Sequence, residues 1–227
     1  MRRASWALRD IVVLAVLAVV FGFLYWVLVQ AWGGLQVLMG PLGDLAQNAL
    51  MGGWIVVAPL AVFIVRRPGA GIVAEIAAAF VEFAFLGSPA GPMLLIAGLV
   101  QGGGAELAFA VTRYRRYGWP TFLLSGVGAV TANFVWAGTL YDWWHQDLLV
   151  LRIVLQLVSG LVLTGVLAKV LAGALMRTGV LDDLAPGRAL AEAESADAPG
   201  GPPPAASSSG DVLTPGVRGT EEPRARG

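Results

Sequence analysis

The chain has 227 residues, 57% of them hydrophobic and 13% charged, and its formal charges cancel. A soluble domain of this size needs a charged skin that such a composition cannot supply, so the bulk of the chain belongs in a bilayer. The absence of cysteine excludes disulfides, thiol catalysis and cysteine metal clusters, and a lone histidine, His145, excludes a histidine cluster. No cofactor, metal or nucleic-acid partner is expected.

The chain opens on MRRASWALRD followed by the 19-residue apolar run IVVLAVLAVVFGFLYWVLV. That run is long for a signal-peptide core and lacks a clear small-residue cleavage site, so it reads as a retained membrane helix. Five more apolar stretches follow, and stretches of about 17–25 residues suit a hydrocarbon core roughly 30 Å thick. The six spans cover 10–29, 48–65, 69–86, 92–112, 120–140 and 150–175. Turn residues separate them at Arg67-Pro68-Gly69, Gly87-Ser88-Pro89 and Gly118-Trp119-Pro120. The expected fold is all-α: a polytopic membrane protein with six transmembrane helices.

Basic residues fix an orientation. Arg2, Arg3 and Arg9 precede the first span, Arg66 and Arg67 follow the second, and Arg113, Arg115 and Arg116 follow the fourth. Arg177 follows the sixth, while the connections 30–47, 87–91 and 141–149 contain neither Lys nor Arg. Positive charge concentrates on the cytoplasmic side, so both termini are expected in the cytoplasm of a cell-membrane protein. After Leu181 the composition changes to Ala, Pro, Gly, Ser and scattered charge, including APGGPPPAASSSG. Such a stretch cannot bury enough apolar surface to offset chain ordering. The division is thus a membrane domain over 1–181 and a disordered cytoplasmic tail over 182–227.

Polar residues inside the spans mark where function should sit, because a carboxylate placed mid-helix costs about 2.5–3.5 kcal/mol on insertion scales. Converting position to depth at about 1.5 Å per residue gives two layers. The outer layer contains Trp54, Glu82, Asn133, Trp136 and Gln156, with Gln101 just beneath. Indoles, amides and an acid suit a small, flat, hydrogen-bonding and cationic ligand. The inner layer holds Glu75 and Glu106, which beside Arg66, Arg67 and Arg113 read as cytoplasmic ion pairs. Glu75 and Glu82, seven apart, share nearly one helical face. Asn133 and Gln156 alone could equally bond between helices. Gly102-Gly103-Gly104 is either a kink in the fourth span or a close-packing surface.

No G-x-x-x-x-G-K-[ST] run exists, since the single lysine, Lys169, lies between Ala168 and Val170. No nucleophile elbow or HExxH motif appears either, so the chain is not expected to be an enzyme. Two transport readings remain: a subunit energised by partners, or an ion-coupled secondary transporter of a small organic solute using Glu82 and Glu106. A third reading is a membrane scaffold whose acids only stabilise packing.

Three motifs in succession, RPGAGIVAEIAAAFVE, GSPAGPM and LVQGGGAELAFAVTR, resemble the core signature of YkoE-type substrate-binding (S) components of energy-coupling factor (ECF) transporters, within the ABC superfamily of vitamin importers. The resemblance covers roughly residues 8–182 and is strongest over 66–113. It implies a six-helix protein that captures thiamine or its hydroxymethylpyrimidine precursor from outside. It also implies a transmembrane coupling subunit and two cytoplasmic ATPases as partners, with the S component tilting in the bilayer to deliver its ligand inward. S components often dock the coupling subunit through an Ala-x-x-x-Ala face on the first helix; here the matching positions are Ala18 and Gly22.

Overall fold

The structure, a computed structural model, describes residues 6–197. Arg2 and Arg3 of the basic amino terminus and the tail beyond 197 lie outside the described residues.

Helix α1 (Leu8–Met39) is followed by a 3-10 turn (Gly40–Leu42), helix α2 (Gly43–Leu50), a second 3-10 segment (Met51–Ile55) and helix α3 (Val57–Val65). Helices α4 (Ala70–Ala84), α5 (Met93–Val111) and α6 (Trp119–Leu140) come next. A short 3-10 turn (Trp143–His145) leads to α7 (Leu149–Ser159), a π-helical segment (Gly160–Val166), α8 (Leu167–Arg177) and α9 (Ala185–Asp197).

These elements make six helical passes. Four stretches are long and apolar enough to cross a membrane by themselves: Leu8–Val65, Met93–Val111, Trp119–Leu140 and Leu149–Arg177. The first contains two antiparallel passes, because Gly43 packs on Gln36 near the turn while Val57 lies beside Tyr25 further down. The remaining pass, α4, has 15 residues, about 22 Å at 1.5 Å per residue, short of a full bilayer core. It packs between α1 and α5. Bulky side chains such as Val16, Val20, Phe23 and Val27 line the outward face of α1, as lipid contact requires.

Two expectations change at this level. The connection 30–47 is mostly helical: α1 runs ten residues past Val29, straight through Gly33-Gly34, and stops only at Gly40-Pro41, where proline cannot continue it. The stretch from 182, expected to be disordered, carries helix α9, whose Ala-rich run favours helix. Leu181 and Leu184, just ahead of it, pack into the core; residues 198–227 lie outside the described residues.

Small residues set the spacing of the bundle. A Cβ on Gly104 would lie 2.6 Å from the carbonyl oxygen of Gly128, and one on Gly126 would lie 2.1 Å from that of Gly160. Within the triple glycine, Gly104 packs on α6 and Gly102 on α4, while Gly103 meets nothing; α5 is unbroken and the kink is not formed. The irregular 3-10 segment is satisfied from the sixth pass: Ser159 Oγ accepts the Gly52 N–H at 2.9 Å, and Thr164 Oγ1 donates to the Gly52 carbonyl at 2.8 Å. Ala18 and Gly22 face inward; Ala18 is buried, and a Cβ on Gly22 would meet Val81 at 2.7 Å. Gly22 of the expected docking pair packs on α4, since a small residue there lets α1 and α4 approach.

Gly126→Ala forces α6 away from backbone and should destabilise the fold by about 1–3 kcal/mol or more, as overpacked cores do. Gly103→Ala, with nothing within 4 Å of the new Cβ, should leave stability unchanged or slightly raised. Thermal unfolding of both variants in one detergent checks the pair.

Candidate ligand-binding cavity

A cavity of about 330 Å³ opens at the end of the bundle away from both ends of the described chain. That volume is at the small end of the range of about 300–1,000 Å³ usual for ligand sites. Its walls come from α1 (Tyr25, Trp32), α2 and the following 3-10 segment (Gln47, Met51, Trp54), α4 (Glu75, Glu82), α5 (Gln101) and α6 (Asn133, Trp136). Ser88, Tyr141 and Trp143 complete the rim. None of the described residues lining it is Lys, Arg or His, whereas two carboxylates are present.

Five of the six outer-layer residues meet here: Trp54, Glu82, Gln101, Asn133 and Trp136. Trp54 spends its indole N–H on the Tyr25 carbonyl at 3.1 Å, which leaves the ring as wall. Gln101 Nε2 donates to Asn133 Oδ1 at 2.9 Å and lies 3.8 Å from Met51 Sδ. This bond orients both amides and leaves Asn133 Nδ2 without a protein partner. Glu82 Oε1 and Trp32 Nε1 are also buried and unpartnered. Ser88 Oγ is a fourth such atom on the same lining. Buried polar atoms are normally bonded, so four unpartnered ones around one cavity point to a site.

The remaining expectations are redistributed. Gln156 is buried but does not line the cavity. It shares with Arg152 and Ser159 the buried face of α7, which packs against α2. Glu75 leaves the inner layer: it lines the cavity, and its Oε2 accepts from the Tyr25 hydroxyl at 3.4 Å. The seven-residue spacing that placed it on one face with Glu82 carries it there. Glu106 is the acid of the inner end, and it caps a helix where an arginine pair was expected. It accepts from the N–H groups of Gly69, Gly71 (3.1 Å) and Ile72 (3.2 Å) at the start of α4 and from the Tyr114 hydroxyl at 2.7 Å. Gly69, at φ +87°, offers α4 no side-chain cap of its own, so a carboxylate from α5 meets the exposed amides and the helix dipole. Burial, and then the bond to Glu106, raises the Tyr114 pKa well above its ordinary value.

Trp32, Gln47 and Tyr25 were missed. Trp32 and Gln47 fell in the stretch read as a connection, and Tyr25 was indistinguishable from a membrane-helix aromatic.

A multi-pass helical bundle enclosing such a cavity is a membrane protein of the permease class, and comparison with known proteins narrows this. Residues 9–132 match a family of ABC-type cobalt transport system permease components. A protein of Bacillus subtilis (strain 168), named as an HMP/thiamine permease protein, YkoE, is 38% identical over 188 residues, which span 82% of this chain and 92% of that protein. A crystal structure of an S component of an ECF transporter superposes with a TM-score of 0.76 at 35% identity, covering 84% of this chain and 95% of the other. The chain belongs to the YkoE-type S components of ECF transporters.

Removing Glu106 tests how far the cavity depends on the start of α4. Charge-assisted bonds contribute about 1.5–3 kcal/mol each, so Glu106→Ala should cost about 2–4 kcal/mol in thermal unfolding. Glu106 lines no part of the cavity, yet it positions the helix that carries Glu75 and Glu82, so ligand affinity measured well below the lowered melting point should fall by more than about threefold.

Proposed function

We propose that the chain is the capture subunit of an ECF-type ABC importer for thiamine or its hydroxymethylpyrimidine precursor. On this reading both termini are cytoplasmic, the cavity opens to the outside, and a transmembrane coupling subunit with two ATPases drives delivery inward. The name of the Bacillus relative supports the ligand class, and the basic connections at the opposite end from the cavity support the orientation.

The observation that carries the proposal is Glu82. Its buried carboxylate has an oxygen without a protein partner, in a cavity walled by the indoles of Trp32, Trp54 and Trp136. An aminopyrimidine supplies what this site lacks: a flat ring to stack on the indoles and an exocyclic amine to donate to the acid. Ring nitrogens accept from Asn133 Nδ2 and Trp32 Nε1. Two acids with no lining cation also favour the positive charge of a thiazolium, which indole faces attract further.

The ion-coupled alternative cannot use Glu106, which is engaged at the start of α4 and stands apart from the cavity, and would have to pair Glu82 with Glu75, which the Tyr25 hydroxyl already meets.

Calorimetric titration of the detergent-purified protein with hydroxymethylpyrimidine, thiamine and riboflavin, without any ion gradient, tests the reading. Saturable one-to-one binding of a thiamine-related compound is the expected result. Riboflavin binding instead would keep the architecture and reject the ligand class, and no binding by folded protein would reject the capture role. Glu82→Gln and Trp54→Ala should each weaken binding at least about tenfold, or 1.4 kcal/mol; wild-type affinity in both folded variants would remove this site.

A further inference from the structure

Arg152 is the only buried arginine among the described residues, 7% exposed. It occupies the first turn of α7, where the helix dipole disfavours a cation. Burial and dipole both oppose the charge, so helix packing alone gives no reason for it. Two contacts offset the cost. Arg152 Nη1 lies 2.6 Å from Asp44 Oδ2, in the first turn of α2, and its guanidinium stands 5.3 Å from the centre of the Trp143 ring.

Both contacts lead to the cavity. Gln47, three residues after Asp44 on the same face of α2, lines it, and so does Trp143. The Trp143 ring is itself held against Phe134 of α6, 5.3 Å between ring centres. The arginine therefore ties α2, the 3-10 turn Trp143–His145 and α7 together across the rim. A shallow depression bounded by His145, Gln146, Asp147 and Leu148 reaches the same arginine from outside.

We propose that Asp44, Arg152 and Trp143 form a latch over the mouth of the cavity. Arg152 is a positioning residue: it holds α2 and the Trp143 ring closed and sets how fast a solute enters and leaves. Opening requires α2 to separate from α7, which exposes Arg152 to water. The charge then gains hydration in place of Asp44, and the latch can open without unfolding the bundle.

The absence of cysteine permits a direct test. Ala97 lines the cavity, so Ala97→Cys in the full chain, reconstituted in lipid nanodiscs, reports access through its labelling rate with a hydrophilic methanethiosulfonate. Arg152→Gln or Asp44→Asn should raise that rate at least tenfold. The exchanged pair D44R/R152D should return it to within about threefold of the parent. Arg152→Lys, which keeps the charge and loses the flat face over Trp143, should fall between. Unchanged labelling in the folded variants overturns the latch, as does an exchanged pair that labels as fast as either single variant.

A second readout rests on the proposed capture function: the dissociation rate of thiamine should rise in the same order. If the parent protein binds no thiamine, hydroxymethylpyrimidine replaces it as the probe; if it binds neither, that function fails, and the labelling rates still decide the latch.

Discussion

The carboxylate of Glu106 meets the amides at the start of α4, and the position of both cavity acids depends on that contact. Helix α4 is the shortest pass, begins at a glycine and has no capping side chain of its own. The amides at this end are buried or part-buried, so losing their acceptor would leave donors that water does not fully satisfy. Glu106 supplies that acceptor from a neighbouring helix and thereby fixes the height and rotation of α4. Glu75 and Glu82 project from the same face of this helix, so their arrival at one cavity is a consequence of how its first turn is held. Tyr114 completes the arrangement from the loop after α5, where Arg113 and Tyr114 both adopt left-handed conformations. That backbone is costly for residues with side chains, and the hydroxyl's bond to Glu106 helps to offset it.

Around this anchor the bundle shows two kinds of polar economy. Away from the cavity, side chains are spent on the backbone: Ser159 and Thr164 serve the 3-10 segment, and Ser125 Oγ donates to the Ala105 carbonyl at 2.8 Å, although Asn48, Arg66, Arg152 and Gln156 also keep buried atoms without a hydrogen-bond partner. At the cavity they converge, with Trp32, Glu82, Ser88 and Asn133 each retaining an unused atom. A fold selected for stability alone would not gather four idle polar atoms around one small volume. The Gln101–Asn133 bond links the two behaviours, since it locks both amides and still leaves one donor free.

Irregular helix is concentrated in the second pass, which lines the cavity, and in the sixth, which supports it from behind. The second pass is broken into α2, a 3-10 segment and α3, and the sixth contains a π-helical segment. These two irregular stretches lie against each other, with a Cβ on Gly52 separated by only 2.2 Å from the Ser159 carbonyl. Close glycine contacts allow the backbones to exchange hydrogen bonds through single side chains. The break also turns Trp54 so that its ring, and not its N–H, meets the cavity.

The sequence by itself determined the class of this protein: six apolar runs, their polarity of charge, the family motifs over 66–113, and the intramembrane acids that mark a site. Those properties follow from hydropathy and one-dimensional spacing, which the bilayer reads directly. Spacing alone also linked Glu75 with Glu82, although depth counting then assigned them to different layers. Only the tertiary structure decided which polar residues meet. It sent Gln156 to a helix interface and Glu106 to a helix end, and it brought Trp32 and Gln47 out of a supposed connection. It also turned Ala18 and Gly22 inward. The reason is geometric: a helix position fixes height and angle on its own axis, whereas company inside the bundle depends on how six axes are rotated against one another. That rotation is set by glycine contacts and cross-helix caps, which join residues dozens of positions apart and leave no periodic trace along the chain.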